Sequence, residues 1–262
     1  MSFALISAQI PIPSTAEIIT FVLILGRVGA AFALAPAIAG KNVPLRAKAI
    51  LAVFVSLMLV SVVTPSTGLS AAPIGLVTLL MVKEIIIGLA IGLAMGVVVA
   101  AWSLAGAYLD LSTGFSYGGV IDPQYGNQSA LLQQMYVLLA AVIFITLGGE
   151  EILIATISGS FHNLPLDQMP PSSDLLQLAL KVITSVFVVG LGAMAPPMIA
   201  LFLTDFAFGL ISRAAPQTQV IALEFPVKIA VAILFIIATL PWMVPLLTNT
   251  VMHMSRMVLG GG

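Results

Sequence analysis

Cysteine is absent from the 262 residues, which excludes disulfide frameworks, thiolate metal sites and a cysteine nucleophile and leaves the redox compartment open. Histidine is nearly absent too, His162 and His253 being the only two. Charge is scarce: nine Lys/Arg and ten Asp/Glu make up 7% of the chain, against about 25% in a soluble domain. So few charges cannot solvate a water-facing surface. The net charge of −1 offers no basic excess for nucleic acid and no acidic tail. Neither the H-E-x-x-H zinc signature nor the G-x-x-x-x-G-K-[ST] phosphate cradle occurs, so no cofactor or metal is expected. Residues 1–16 lack a basic start, and Pro11 and Pro13 interrupt their apolar stretch, so membrane insertion is expected to rest on internal helices.

What fills the chain is apolar: 60% of the residues are hydrophobic. A membrane-crossing helix needs about 20 mostly apolar residues, and six stretches approach that length, 18–39, 49–63, 74–109, 130–147, 175–208 and 227–247. They predict an all-α integral membrane protein of about six long hydrophobic helices, with residues 1–262 as a single membrane unit. Pro196 and Pro197 fall inside the fifth stretch, and Pro241 and Pro245 are expected to bend the sixth. Counting basic residues near helix ends places Arg46, Arg213 and Lys228 in the cytoplasm and both termini outside.

Several constellations stand out. Gly88, Gly92 and Gly96 recur at four-residue steps, so one face of the third helix has almost no side chains and admits a close neighbour. That neighbour belongs to this chain or to another subunit. Arg27 lies in the middle of the first apolar stretch, where an exposed arginine costs roughly 2.5–3.5 kcal/mol, and it needs a carboxylate, carbonyls or water. Structural pairing and a polar conduit are both open for Arg27, for Lys83 with Glu84, and for Asp205 with Arg213. Glu150 and Glu151 read as a solvated helix end, and Ser158, Ser160 and His162 as a loop.

The least regular segment is 112–129, which holds four glycines, a proline, three aromatics and Asp122 between two apolar helices. Irregular backbone at membrane depth survives only where protein or a water-filled cavity satisfies its amides. An ordinary surface loop is the plain alternative. The length exceeds the usual helix connection of roughly 2–8 residues, which favours a functional loop. Its mixture of glycine and aromatics suits a deformable closure over a pore.

At this point the residues resemble the FliR/SctT family of type III secretion export-apparatus proteins, over nearly the whole chain. Arg27, Pro36, Pro44 and Arg46 follow the family order, and Lys83–Glu84 leads into Gly88 and Gly92. Gly106 to Gly114 is followed by Phe115, Ser116, Asp122 and Pro123, then by Ser160, Phe161 and Pro165. The C-terminal run Gly209, Arg213, Pro216, Gln217, Pro226 and Lys228 is the most specific part. Departures occur at Ser112–Thr113, Glu150–Glu151, Gln219 and Glu224, the last with a possible i+4 partner in Lys228.

The resemblance implies a non-enzymatic, all-helical subunit of kinked hairpins that assembles helically with FliP and FliQ into an export gate and lies against FlhB. It implies a pore in the bacterial inner membrane, at the flagellar basal body, for unfolded flagellar proteins. The segment carrying Gly114, Phe115, Tyr117, Gly118, Gly119, Asp122, Pro123 and Tyr125 would be the pore-closing loop. An injectisome homologue is the nearest alternative. A self-contained secondary transporter would instead use Arg27, Lys83, Glu84 and Asp205 as a midplane polar site, and a membrane enzyme would depend on Ser160 and His162.

Overall fold

The computed structural model describes residues 14–36, 38, 43–63, 73–115, 130–168, 172–214 and 220–258. Among them are seven α-helices and no strand: α1 Thr15–Leu34, α2 Leu45–Val60, α3 Ile74–Thr113, α4 Leu131–Thr146, α5 Gly149–Asn163, α6 Ser172–Ala214 and α7 Val220–Val258. The protein is all-α, as its composition predicts. Four stretches are long and apolar enough to cross a membrane, Thr15–Leu34, Ile74–Val97, Leu180–Ala214 and Leu223–Arg256, and the bent pair α4–α5 makes a fifth. The expected count of about six differs for two reasons. The second stretch forms a helix of only 16 residues, and the fourth continues through a break into α5.

Helix ends follow local chemistry. Ser14 caps α1 in a reciprocal box: its hydroxyl accepts the Glu17 amide at 3.3 Å, while the Glu17 carboxylate accepts the Ser14 amide at 2.7 Å. Pro44 and Pro73 precede α2 and α3, their carbonyls accepting the first helical bonds from Lys48 and Val77. The α4–α5 break sits at Gly148, whose φ of 68° takes the chain through a 67° bend. Gly149, Glu150 and Glu151 then open α5, the two carboxylates sitting where the helix dipole favours negative charge. Ser158, Ser160 and His162 therefore belong to a helix and not to the expected loop, because Gly148 restarts a helix there.

Ser112 and Thr113 likewise extend α3, with the Thr113 hydroxyl donating to the Leu109 carbonyl at 2.6 Å. Irregular backbone begins at Gly114, two residues later than expected. Its φ is 89°, and an added Cβ would lie 2.5 Å from the Phe225 ring of α7. Gly114→Ala should therefore cost more than the roughly 1–2 kcal/mol of a left-handed residue alone. Gly148→Ala should cost only that, since its nearest neighbour, the Glu151 carboxylate, is 3.7 Å away. Thermal unfolding of the two variants in detergent checks the order, which equal midpoints would contradict.

α3 is the central strut. It packs along α1, α4 and α6, and more lightly against α5 and α7. Leu23, Ile24, Val28 and Phe32 of α1 meet Ile87, Ile91 and Met95 of α3 in a fully buried layer. Further along, Trp102 stands edge-on to Tyr136 of α4 with ring centroids 6.1 Å apart. At 1.5 Å per residue, the 40 residues of α3 run about 60 Å, twice the roughly 30 Å hydrocarbon layer. α6 and α7 are similar in length, at 43 and 39 residues. Prolines 196, 197, 226, 241 and 245 all lie within these two helices. Helices of this length cannot each cross a bilayer once and end at its surface.

Candidate functional site

Arg27 of α1 and Glu84 of α3 face each other with no exposed side-chain surface, and the arginine Nε donates to Glu84 Oε2. Lys83 reaches the other oxygen of the same carboxylate at 2.8 Å. One anion thus serves two cations, and the Ser160 hydroxyl and backbone carbonyls supply the remaining acceptors. Arg27 donates to the Ser160 hydroxyl and the Leu164 carbonyl, each at 2.9 Å, and its guanidinium lies 4.0 Å over the Phe161 ring. Lys83 Nζ donates to the carbonyls of Pro165, Leu166 and Gln168 at 2.8–3.0 Å. The end of α5 and the turn after it are thereby strapped across the α1–α3 pair. Seven polar contacts hold the cluster, with Glu84 Oε1 facing the Lys83 ammonium as an ion pair and taking no hydrogen bond, and such pairing is what a buried charge group requires.

The glycine row lies beside this cluster. A Cβ on Gly88 would fall on the Arg27 carbonyl oxygen, and one on Gly92 on the carbonyl oxygen of Ala31; at Gly96 the Leu34 carbonyl is 3.1 Å away. α1 rides on the bare face of α3, so the neighbour that the spacing calls for is, at these three positions, a helix of the same chain. Gly106 performs the same service for α4, where Gln133 Cα would sit 2.5 Å from an added Cβ.

A second carboxylate acts at the far end of α3. Asp110 is fully buried, and its two oxygens accept the backbone amides of Leu132 and Gln133 at 2.9 and 2.8 Å. Ala130 cannot cap α4, so Asp110 does so from another helix. The Gln133 side chain also donates to Ser103 at 2.8 Å. The start of α4 is thus held against the last turns of α3, close to where Gly114 turns the chain away. Phe115 is half-buried against the core. Tyr117, Gly118, Gly119, Asp122, Pro123 and Tyr125 lie outside the described residues.

Asp205 does not join Arg27, Lys83 and Glu84, nor does it pair with Arg213. Its Oδ1 takes the Lys228 ammonium at 2.6 Å, and Glu224 takes the same ammonium at 2.6 Å from one turn before it in α7. Helical spacing does put Asp205, Gly209 and Arg213 on one face of α6, but eight residues separate Asp205 from Arg213 by about 12 Å. Tertiary packing of α7 supplies the nearer cation. The i+4 pair of Glu224 with Lys228 is formed as its spacing suggests. Among the described residues no group of three or more His, Asp and Glu could hold a metal ion. His162 and His253 are both exposed on their helices.

Ser160, Asp110 and the carbonyls of 164–168 are the partners that sequence reasoning missed. Backbone carbonyls carry no residue signature. Asp110 had one available: a lone carboxylate in an apolar helix, followed by a helix whose start has alanine at the capping position.

Residues 18–254 match the family model described as bacterial export proteins, family 1. The flagellar biosynthetic protein FliR of Bacillus subtilis (strain 168) is 30% identical over 220 residues, covering 83% of this chain and 84% of the relative. FliR of Escherichia coli (strain K12) is 32% identical over 222 residues, covering 84% and 83%. The Yop proteins translocation protein T of Yersinia pestis is 29% identical over 161 residues, covering 61% and 62%. Matched over most of its length, this apolar helical chain belongs to the bacterial export proteins, family 1.

Proposed function

We propose that this chain is a subunit of the flagellar type III export gate, forming with FliP and FliQ the inner-membrane pore at the basal body through which unfolded flagellar proteins leave the cell. FlhB-like protein is a further neighbour in this reading. The observation that carries it is coverage: the two flagellar relatives align over more than four-fifths of the chain, the Yop translocation protein over 61%. The exposed apolar sides of α2, α6 and α7, with Phe54, Phe187, Phe202 and Phe206 among them, suit a subunit covered by other membrane proteins and lipid. No catalytic step or cofactor enters this reading, and energy for export comes from other components. Disrupting the gene should leave cells non-motile, with hook and filament subunits retained inside. Normal secretion of those subunits would contradict the assignment.

Within that pore, segment 112–129 is the closure. Its described ends support this reading: Gly114 turns the chain out of α3 against Phe225, and Asp110 fixes the start of α4 beside the same helix end. A segment whose two ends are fixed on α3 can seal a passage by aromatic and backbone packing and be displaced by an entering chain. Removing residues 118–126 should raise ion leakage through the assembled complex several-fold over the intact protein, measured as conductance in planar bilayers. Unchanged leakage from a fully assembled variant would overturn the closure role.

A further inference from the structure

The Asp205–Lys228–Glu224 triad carries two negative charges and one positive, and it lies on an apolar side of the α6–α7 pair. Lys228 is one-tenth exposed, Asp205 about half exposed at 48%, and Glu224 intermediate at 26%. Exposed apolar residues flank it along the two helices, Phe202 and Phe206 in α6 and Leu223 and Val227 in α7. Both helices pass through stretches long and apolar enough to cross a membrane, and all three charged residues fall within those stretches. An uncompensated charge among apolar groups is expensive and is found paired instead. Arg213, about 12 Å further along α6 from Asp205 by helical rise, forms no ion pair with the triad.

We infer that this face docks a helix of a neighbouring membrane subunit that presents one lysine or arginine amid apolar residues, its cation completing a four-charge group with Asp205, Lys228 and Glu224. Charge complementarity selects the occupant: the apolar rim fits a helix, and the half-exposed Asp205 oxygens are open to one more donor. An arginine would satisfy them in a bidentate manner. The inference deepens the export-gate reading by naming the chemistry of one contact, and it rests on that reading.

Glu224→Gln separates this role from folding. The substitution keeps Lys228 paired with Asp205 and removes only the surplus charge. In the complex purified through this chain from its own membranes, recovery of neighbouring subunits should fall roughly tenfold, while the chain's own abundance stays unchanged. A photo-crosslinking residue at Phe206 should map to a partner helix with a lysine or arginine within one turn. Glu224→Lys combined with reversal of that partner cation should restore assembly. Undiminished assembly of Glu224→Gln, or crosslinks from position 206 that reach only lipid, would overturn the inference. An intact chain that brings down no membrane subunits would instead defeat the export-gate reading itself.

Discussion

Glu84→Gln is expected to remove the protein from the membrane almost completely, and to do so more severely than Arg27→Met. The arithmetic of the cluster sets the order. Arg27, Lys83 and Glu84 together carry +1, with the surplus held by carbonyls of residues 164–168. Neutralising Glu84 leaves two adjacent buried cations and a total of +2. Removing Arg27 leaves the Lys83–Glu84 pair at 2.8 Å and a total of zero. Breaking a buried pair from one side costs about 3–5 kcal/mol, a large part of the roughly 5–15 kcal/mol that holds a domain together. Arg27→Met still forfeits the bonds to Ser160 and Leu164 and the contact with Phe161, so it should also lower abundance. The double variant should accumulate better than Glu84→Gln alone. Quantitative immunoblotting of membranes checks the ranking, and Glu84→Gln at or above the level of Arg27→Met would contradict it.

The second large effect belongs to the glycine row, and its size should grade along the helix. Gly88→Ala and Gly92→Ala drive a methyl into carbonyl oxygens of α1, which cannot rotate aside as a side chain can. α1 must move, and inserting even small groups into a tight contact costs about 1–3 kcal/mol or more. Gly96→Ala meets a carbonyl at 3.1 Å and should be mild, and Gly209→Ala, with nothing within 4 Å, should be silent. Gly88 lies one helical turn from Glu84 and touches the residue whose guanidinium binds it. Shifting α1 therefore strains the ion pair as well, and Gly88→Ala with Arg27→Met should cost less than the sum of the two. Thermal midpoints of the purified variants in one detergent check this, and equal effects at 88 and 209 would contradict it.

These two groups show where sequence was informative. A four-residue repeat of glycine maps onto one helical face whatever the tertiary structure, so the bare stripe of α3 was legible before any fold was known. That α1 lies on it was not, because small residues invite a neighbour without specifying one. Arg27 and Glu84 each announced a need for a partner by their apolar surroundings. Matching them across 57 residues required the tertiary placement of two helices. Asp205 shows the failure clearly: Arg213 shares its helical face and was the candidate partner, yet Lys228 is closer because α7 folds back along α6. The missed helix α5 has a local cause. Gly148–Gly149 punctuates the chain like a loop, but a single left-handed residue followed by two acidic ones restarts a helix at a new angle. The structure as described gives the roots of segment 112–129, Gly114 and Asp110, and its residues 116–129 lie outside what is described.

Native mass spectrometry of the assembly purified through this chain shows whether it exists as a gate subunit or alone. The chain is expected to fly only within a larger complex, with FliP-type and FliQ-type polypeptides in a fixed ratio. A stable detergent-solubilised monomer that carries no other subunit, isolated from cells expressing those partners, would contradict it.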